Sequence, residues 1–337
     1  KEVTIKPKIH VIGTGGTISG TGSTATDAAY ESGRVDASDL VSAIEGLERL
    51  ADVDSETMFA TGSENLGPHQ WRILARRIEE LTVNSEVDGV VVTHGTDTLE
   101  EAAFFLELVC KSGKPVVLTA AMRPSTALSA DGPANLFQAV LAATSPQLQS
   151  HGLLVVMNGL VIPGWQIIKT DSVALDSFHA YPGGPIGKIV GESLLVFGSP
   201  NLSPLVGRFH DHLRNDDELP FVDIVLLRAG CGDQPLADFE GNACKGLVVA
   251  GFGGGTMPDN LNGLVAETAN SGCTVVVSSR VSQVTVLAET MTSVKSKNVF
   301  PSGLLNPQKS ALLLSLALDA NLDALELAEL FNVFVTQ

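Results

Sequence analysis

The stretch IHVIGTGGT, residues 9–17, joins an apolar run to a turn rich in glycine and threonine. A second stretch, VVVTHGTDT at residues 90–98, has the same form. Continuous apolar runs of this length are typical of strands that are covered on both faces of a parallel sheet. Because open α/β sheets bind their ligands at the carboxyl ends of such strands, we expect Thr17, Thr96 and Asp97 at a binding site. The two threonine hydroxyl groups there are candidate nucleophiles.

More apolar runs follow along the chain, at residues 115–119, 153–157, 222–227, 246–250 and 274–277. Amphipathic segments lie between them. The clearest covers residues 68–81, and others begin near residues 98, 133, 307 and 322. This alternation of strand and helix predicts an α/β fold built on a mostly parallel, doubly wound sheet.

A change of composition divides the chain in two. Residues 198–219 contain serine and proline first and then the polar run HDHLRNDDE at residues 210–218, which indicates an inter-domain linker. We therefore expect a larger N-terminal domain over residues 1–197 and a smaller, flavodoxin-like α/β domain over residues 220–337.

The protein is acidic. Its 337 residues include 38 aspartates and glutamates against 21 lysines and arginines, which gives a net charge of -17. Phosphate binding needs a basic patch, so this charge argues against nucleic acid as a partner. No apolar run approaches the length of a membrane-spanning helix, so a membrane is not an expected partner either. The composition is that of an ordinary folded, soluble protein.

The sequence predicts neither a metal nor a cofactor. Its four cysteines show no Cys-x-x-Cys spacing, and the close pair His210 and His212 has no cysteine nearby. A dinucleotide-binding fingerprint in the first turn would require glycine at position 18, where Ile18 stands. Cys231 and Cys244 either close a short loop as a disulfide or remain buried thiols, and the sequence leaves both open.

The two glycine turns also have an ordinary structural interpretation. The threonines of residues 13–17 can bond the backbone at a strand exit without touching any ligand. Asp97 or Thr98 can cap the helix that begins after them. For each turn considered alone, a catalytic role and a purely structural role of its residues both stay open.

Two further polar segments have two readings each. Lys169 follows the apolar stretch 160–168, so it is either half of a structural ion pair or a base tuned by burial. The segment 121–136 has a high density of hydroxyl, amide and carboxylate groups. Within it we expect Asp131 and Asn135 to tie the loop to its neighbours rather than to contact a substrate.

Taken together, these segments resemble the bacterial-type L-asparaginases, particularly the secreted type II branch that includes the glutaminase-asparaginases. The resemblance runs nearly from end to end. It rests on TGGTI at residues 14–18, GSEN at 62–65, THGTDT at 93–98, MRPST at 122–126, SADGP at 129–133 and LNPQK at 305–309.

The resemblance implies two groups of catalytic residues. Thr17 matches the nucleophile of the family, which lies on a mobile lid, and Tyr30 matches the lid tyrosine that orients it. The second group corresponds to Thr96, Asp97 and Lys169, which activates or shares the chemistry.

It also implies a pocket for the head of a free amino acid. Gly62, Ser63, Glu64 and Asp97 match the residues that hold the ammonium and carboxylate groups. In this family a glutamate from a neighbouring subunit completes the site, and Glu289 is the candidate here.

The implied activity is hydrolysis of L-asparagine to L-aspartate and ammonia, and of L-glutamine to L-glutamate as a second reaction. It would proceed through a threonine nucleophile and an acyl-enzyme, without a cofactor, in a homotetramer with sites between subunits. The chain begins at Lys1 with no methionine and no apolar leader, which fits a processed periplasmic or secreted protein or a shortened chain, and a cytoplasmic location stays open.

Two functions of other classes compete with this one. The same fold can serve as an amino-acid sensor without catalysis, or as a nucleotide-binding protein with an accidental glycine turn. The presence of both Thr17 and Thr96 favours the enzyme. Three features depart from the family: the short segment 281–289, the glycines 253–255 where many members carry a polar side chain, and the apolar stretch 159–168.

Overall fold

The computed structural model describes residues 6–149, 151–198, 203, 205–237, 245–291, 293–294 and 296–335. The chain divides into two units, Lys1–Arg214 and Asn215–Gln337. This division falls within the predicted linker, of which residues 199–202 and 204 lie outside the described residues. The limits of the two domains stay predictions.

The larger unit contains ten described strands, and eight of them form one sheet. Its described strands are β1 (Lys8–Gly15), β2 (Asp52–Thr61), β3 (Gly89–Thr93), β4 (Val116–Thr119), β5 (Leu153–Met157), β6 (Leu160–Pro163), β7 (Ile167–Lys169), β8 (Phe178–Ala180), β9 (Gly187–Val190) and β10 (Ser193–Val196). The sheet order is β10-β9-β6-β5-β4-β3-β1-β2, and β7 pairs with β8 separately. The helices are α1 (Ala37–Ser42), α2 (Leu47–Leu50), α3 (Pro68–Val83), α4 (Leu99–Val109) and α5 (Gly132–Ala143).

The central part of this sheet is parallel. β2, β1, β3, β4 and β5 run in the same direction, whereas β6, β9 and β10 extend the sheet in antiparallel pairs. Every residue of β3, β4 and β5 is buried, as expected for strands that are covered on both faces. The predicted mostly parallel α/β sheet is confirmed.

The helices begin where the sequence pattern places them. α3 begins at Pro68, whose missing N–H costs nothing in a first turn, and it buries the predicted face. α4 begins one residue after Thr98 and α5 one residue before Pro133. α5 covers one face of the sheet, where its side chains pack on the strand centres Val11, Val91 and Val156.

The edge strands are not marked by apolar runs. β2 lies at one edge, and each of its residues is exposed or only partly buried, because an edge strand has a neighbour on one side only. β9 and β10, at the opposite edge, alternate exposed residues with more buried ones. A search for continuous apolar runs therefore finds the centre of the sheet and misses its margins.

The smaller unit contains a four-stranded parallel sheet in the order β11-β12-β13-β14. The strands are β11 (Val222–Leu226), β12 (Gly246–Gly251), β13 (Thr274–Ser279) and β14 (Val299–Pro301). The helices are α6 (Gln234–Ala237), α7 (Asp259–Asn270), α8 (Pro307–Asp319) and α9 (Ala324–Asn332). This unit is also α/β, as predicted.

Two observations bear on the predicted absences of a membrane span and a metal site, and a third on the disulfide that the sequence left open. None of the helices in the described ranges is both long and apolar enough to cross a bilayer. Among the same residues, no group of three or more histidine, cysteine, aspartate or glutamate side chains is placed to hold a metal ion. Cys231 is a buried thiol, and Cys244, its candidate partner, lies outside the described residues.

Candidate active site

The two glycine turns lie side by side at the carboxyl ends of the adjacent strands β1 and β3. β1 pairs with β3 along its length, with Gly13 opposite Thr93, so the turns that follow both strands are neighbours. The Thr14 hydroxyl donates to the Thr93 carbonyl over 3.0 Å. A Cβ atom on Gly16 would lie 2.3 Å from the Gly95 Cα, and Gly16 has a φ of +77°. Glycine is therefore required at position 16, and the two turns are in direct contact.

Thr17 lies directly after this contact and is buried. It begins a short 3-10 helix, Thr17–Ser19, and its Oγ1 lies 2.6 Å from the Tyr30 hydroxyl oxygen. The Tyr30 ring lies against Gly20, where a Cβ atom would be 2.8 Å from the ring carbon Cδ2. The structure thus brings Thr17 and Tyr30 into hydrogen-bond contact, with the tyrosine 39% exposed on the outer side.

A second cluster surrounds Thr96. The Lys169 ammonium donates to Thr96 Oγ1 over 3.1 Å and to Asp97 Oδ1 over 2.8 Å. Lys169 ends β7, and its backbone N–H donates to the buried Glu100 carboxylate over 2.7 Å. The lysine side chain is 18% exposed and that of Asp97 is 64% exposed. Lys169 thus lies between the buried Thr96 hydroxyl and a carboxylate that solvent can reach.

Ser63 joins a third segment to this cluster. Its buried hydroxyl oxygen accepts from the backbone N–H groups of Asp97 and Thr98, over 3.2 and 3.3 Å. The Thr98 hydroxyl donates back to the Ser63 carbonyl over 2.9 Å. Thr98 occupies the N-cap position of α4 without a side-chain cap bond, and the Asp97 carboxylate pairs with Lys169.

Glu64 folds back over Gly62. A Cβ atom on Gly62 would lie 2.3 Å from the Glu64 carboxylate oxygens, so the glutamate occupies the space that a side chain at position 62 would need. Asn65 Nδ2 donates to Glu64 Oε1 over 3.1 Å and to Thr61 Oγ1 over 3.2 Å. The exposed Glu64 carboxylate is thereby held by its neighbours beside Ser63.

Glu289 lies in the smaller unit. It is exposed on the short 3-10 helix Ala288–Met291. The next residue, Thr290, donates from its hydroxyl to the Gly254 carbonyl over 2.8 Å and fixes this turn to the glycine loop. The predicted role of Glu289 at the site of a neighbouring subunit stays a prediction.

His94 lies two residues before Thr96, and the sequence alone gives it no role. It is fully buried, and its Nδ1 lies 2.9 Å from the Gly95 carbonyl. Burial lowers the pKa of His94 to about 4, so the ring is neutral at physiological pH and donates its Nδ1 proton to that carbonyl. The sequence alone also gives no role to Thr14, whose hydroxyl joins the two turns.

Asp131 and Asn135 act as predicted within the neighbouring loop. The Asp131 carboxylate accepts from the backbone N–H groups of Met122 and Arg123, each over 2.9 Å. Asn135 donates to Asp131 over 3.2 Å and to the Ala120 carbonyl over 2.9 Å. These bonds fix the loop between β4 and α5.

Comparisons with known proteins agree with this arrangement. Residues 8–202 match the family described as asparaginase, N-terminal, and residues 221–331 match the glutaminase/asparaginase C-terminal domain. The L-asparaginase 2 of Escherichia coli K12 is 37% identical over 328 residues, which cover 97% of this chain and 93% of that protein. The glutaminase-asparaginase of Pseudomonas fluorescens biotype A is 32% identical over 336 residues, covering 98% and 92%.

A solved structure has the same fold. The probable cytoplasmic L-asparaginase from Campylobacter jejuni superposes with a TM-score of 0.85 at 36% identity, and the match covers 97% of this chain and 99% of that one. Both the sequence matches and the structural match extend over the two units. The chain belongs to the asparaginase family of amidohydrolases.

Proposed function

We propose that this chain hydrolyses the side-chain amide of L-asparagine to L-aspartate and ammonia, with L-glutamine as a second substrate. The observation that carries the proposal is the pairing of two buried threonine hydroxyls with different partners at one sheet edge. Thr17 contacts the Tyr30 phenol, and Thr96 contacts the Lys169–Asp97 pair. Relatives named for asparagine and glutamine hydrolysis support the choice of substrate.

Residues 62–64 and Asp97 form the pocket for the amino-acid head in this proposal. The Ser63 hydroxyl oxygen accepts from two backbone N–H groups and has its own proton to donate to a substrate carboxylate. Asp97 is exposed enough to accept from the substrate ammonium while it pairs with Lys169. Glu289 of a neighbouring subunit supplies a second carboxylate for the same ammonium.

The first half-reaction forms an ester. The Thr17 oxygen bonds to the amide carbon, and its proton passes through the neighbouring hydroxyl and amine groups to the leaving nitrogen. The carbon–nitrogen bond then breaks, ammonia leaves, and the acyl group stays on the threonine. Backbone N–H groups of the two glycine turns stabilise the negative oxygen of the tetrahedral intermediate.

The second half-reaction hydrolyses that ester. A water molecule adds to the acyl carbon, the bond to the threonine oxygen breaks, and the proton of the water returns to the threonine. Trapping the acyl-enzyme by acid quench and locating the added mass by peptide mapping tests the assignment of Thr17 as nucleophile. An acyl group found on Thr96 instead would reverse the two roles.

The decisive experiment is ammonia release by the Thr17→Ala variant. The parent should release ammonia from asparagine, and Thr17→Ala should lose nearly all turnover while it keeps the circular dichroism spectrum of the parent. Thr26→Ala is the matched control, since Thr26 is an exposed threonine in the same segment. Hydrolysis by Thr17→Ala at the parental rate would contradict the proposal, and a parent that binds asparagine without releasing ammonia would be a sensor.

We also propose a homotetramer with sites shared between subunits. Thr17→Ala and Glu289→Ala would each be inactive alone, and mixed tetramers refolded from the two variants would regain activity at sites that combine the intact residues. Light scattering measures the assembly independently. An inactive mixture of correctly assembled tetramers would show that Thr17 and Glu289 do not complete one site.

For the compartment we propose export to the periplasm or the medium, on the basis of the resemblance to the type II branch. The structural relative from Campylobacter jejuni carries a cytoplasmic title, so the location needs its own measurement. Fractionation of cells of the source organism, followed by detection of the protein with an antibody, gives it directly.

A further inference from the structure

The segment that carries Thr17 and Tyr30 is hydrogen-bonded to a loop after β4. We call residues 17–34 the lid segment and residues 125–128 the dock loop. Ser125 donates to the Gly20 carbonyl twice, from its backbone N–H over 2.9 Å and from its hydroxyl over 2.7 Å. Thr126 Oγ1 accepts from the Gly22 N–H over 2.8 Å. Leu128 N–H donates to the carbonyl of residue 25 over 3.0 Å.

The dock loop is itself held on both sides. Asp131 binds the two backbone N–H groups that precede the loop, and Asn135 of α5 binds Asp131. The Arg123 guanidinium donates to the Ser129 carbonyl over 3.0 Å and closes the loop upon itself. The loop therefore presents its donors and its one acceptor from a position fixed by β4 and α5.

Gly20 connects the dock loop to the reacting groups. Its carbonyl accepts both bonds from Ser125, its N–H donates to the Thr17 carbonyl over 2.9 Å, and the Tyr30 ring lies against its Cα. Contacts therefore run from Ser125 to Gly20 and from Gly20 to both Thr17 and Tyr30. A displacement of Gly20 would move the hydroxyl pair that is 2.6 Å apart.

The outer part of the lid segment is exposed and bonds mainly within itself. The Asp27 carboxylate accepts two hydrogen bonds from Thr24, over 2.6 Å from its hydroxyl and 2.7 Å from its backbone N–H, and both lower the pKa of the Asp27 carboxyl. Thr21 and Glu31 exchange two backbone bonds of 3.0 Å across the segment. These bonds shape the lid but do not attach it to the sheet, so the bonds from the dock loop carry that attachment at residues 20–25.

We propose that residues 125–128 hold the lid segment in place and that Ser125 is a positioning residue for Thr17 and Tyr30. The proposal rests on the proposed function in one respect, namely that Thr17 is the nucleophile. Ser125 touches no reacting atom and acts through Gly20.

The test compares Ser125→Ala with Ser125→Thr, which keeps the hydroxyl group. For Ser125→Ala we expect kcat on asparagine to fall about three- to tenfold, the effect of one ordinary hydrogen bond. KM should change less than about twofold, because the residues that hold the amino-acid head are not on the lid. Ser125→Thr should keep the parental kcat. Ser42→Ala is the matched control, since its exposed hydroxyl bonds a carbonyl within α1.

Amide hydrogen exchange of peptides covering residues 17–34 gives a readout that does not depend on activity. Exchange should be faster in Ser125→Ala and in Thr126→Val than in the parent, and unchanged in Ser42→Ala. A parental exchange rate in both dock variants would overturn the proposal, and so would a loss of kcat without faster exchange. If the parent released no ammonia, the proposed function would fail, but the exchange data would still test whether residues 125–128 hold the lid segment.

Discussion

At the scale of single residues, removing the contact between Thr96 and Lys169 distinguishes a catalytic role of Thr96 from a structural one. Valine has nearly the shape of threonine but no hydroxyl group, so Thr96→Val removes the 3.1 Å contact with the lysine amine. We expect kcat to fall about 10²- to 10⁴-fold, the range that general base assistance covers. Ammonia release measures kcat, and the melting temperature controls for folding. Full activity in Thr96→Val would leave the residue a structural role only.

The sequence places some site residues more directly than others. Thr17, Thr96 and Asp97 follow apolar runs, and the rule that parallel strands end at one edge brings them together. Tyr30 and Lys169 follow no such pattern, because one lies in an exposed segment and the other after an irregular apolar stretch. For Lys169 the residues alone leave a structural ion pair and a buried base open, and only the family resemblance gives Tyr30 and Lys169 catalytic roles, which stay predictions.

His94 gives a second prediction at this scale, on stability against pH. Because its folded pKa of about 4 lies below the unfolded value of 6.5, the unfolded chain binds the proton first as the pH falls. The free energy of unfolding is therefore not reduced by this group above about pH 6.5, and it falls progressively as the pH is lowered from there to about pH 4. Between pH 7.5 and pH 5, this one group should remove about 2 kcal/mol from the free energy of unfolding.

The variant His94→Asn keeps a donor for the Gly95 carbonyl and does not titrate in this range. The melting temperature should fall more steeply for the parent than for His94→Asn between pH 7.5 and pH 5. Each pair of measurements is made at one protein concentration, since assembly also shifts the melting temperature. Parallel curves would mean that His94 is not buried in neutral form.

At the scale of elements, the helices were more predictable than the sheet margins. Proline near the start of α3, α5 and α8 marks a first turn, and the apolar face of α3 follows from its spacing. β2 has no apolar run, because it lies at the sheet edge with a neighbour on one side only. Edge strands are stabilised by the partner strand, which the local sequence does not contain.

The helix α7 offers a stability prediction of its own. Gly263 lies in its interior, exposed, and a Cβ atom there would meet no other atom within 4 Å. Gly263→Ala should raise the free energy of unfolding by about 0.5–1 kcal/mol, because alanine loses less backbone entropy in a helix. Thermal unfolding measures the gain.

Gly255→Ala is the contrasting control in the same unit. Gly255 has a φ of +87°, and a Cβ atom there would lie 2.9 Å from a Val286 methyl group. This substitution should lower the melting temperature, since both the backbone and the packing would be strained. Equal effects of the two substitutions would contradict the local account of each glycine.

At the scale of the whole molecule, composition and fold class exclude some partners but do not select a function. A net charge of -17 disfavours nucleic acid, and two α/β units are compatible with many activities. The activity follows from the residues at one sheet edge and from the family to which both units belong. Assembly and compartment stay proposals that need their own measurements.

The pairing of β1 with β3 has a consequence for how this protein matures. Residue 9 pairs with residue 89, while β2 lies between these strands in the chain but outside them in the sheet. A ribosome that has released only the first turn exposes a threonine with no partner hydroxyl, lysine or serine beside it. The two turns meet only after strands distant in the chain have paired, so the site is assembled late in folding and an unfinished copy lacks it.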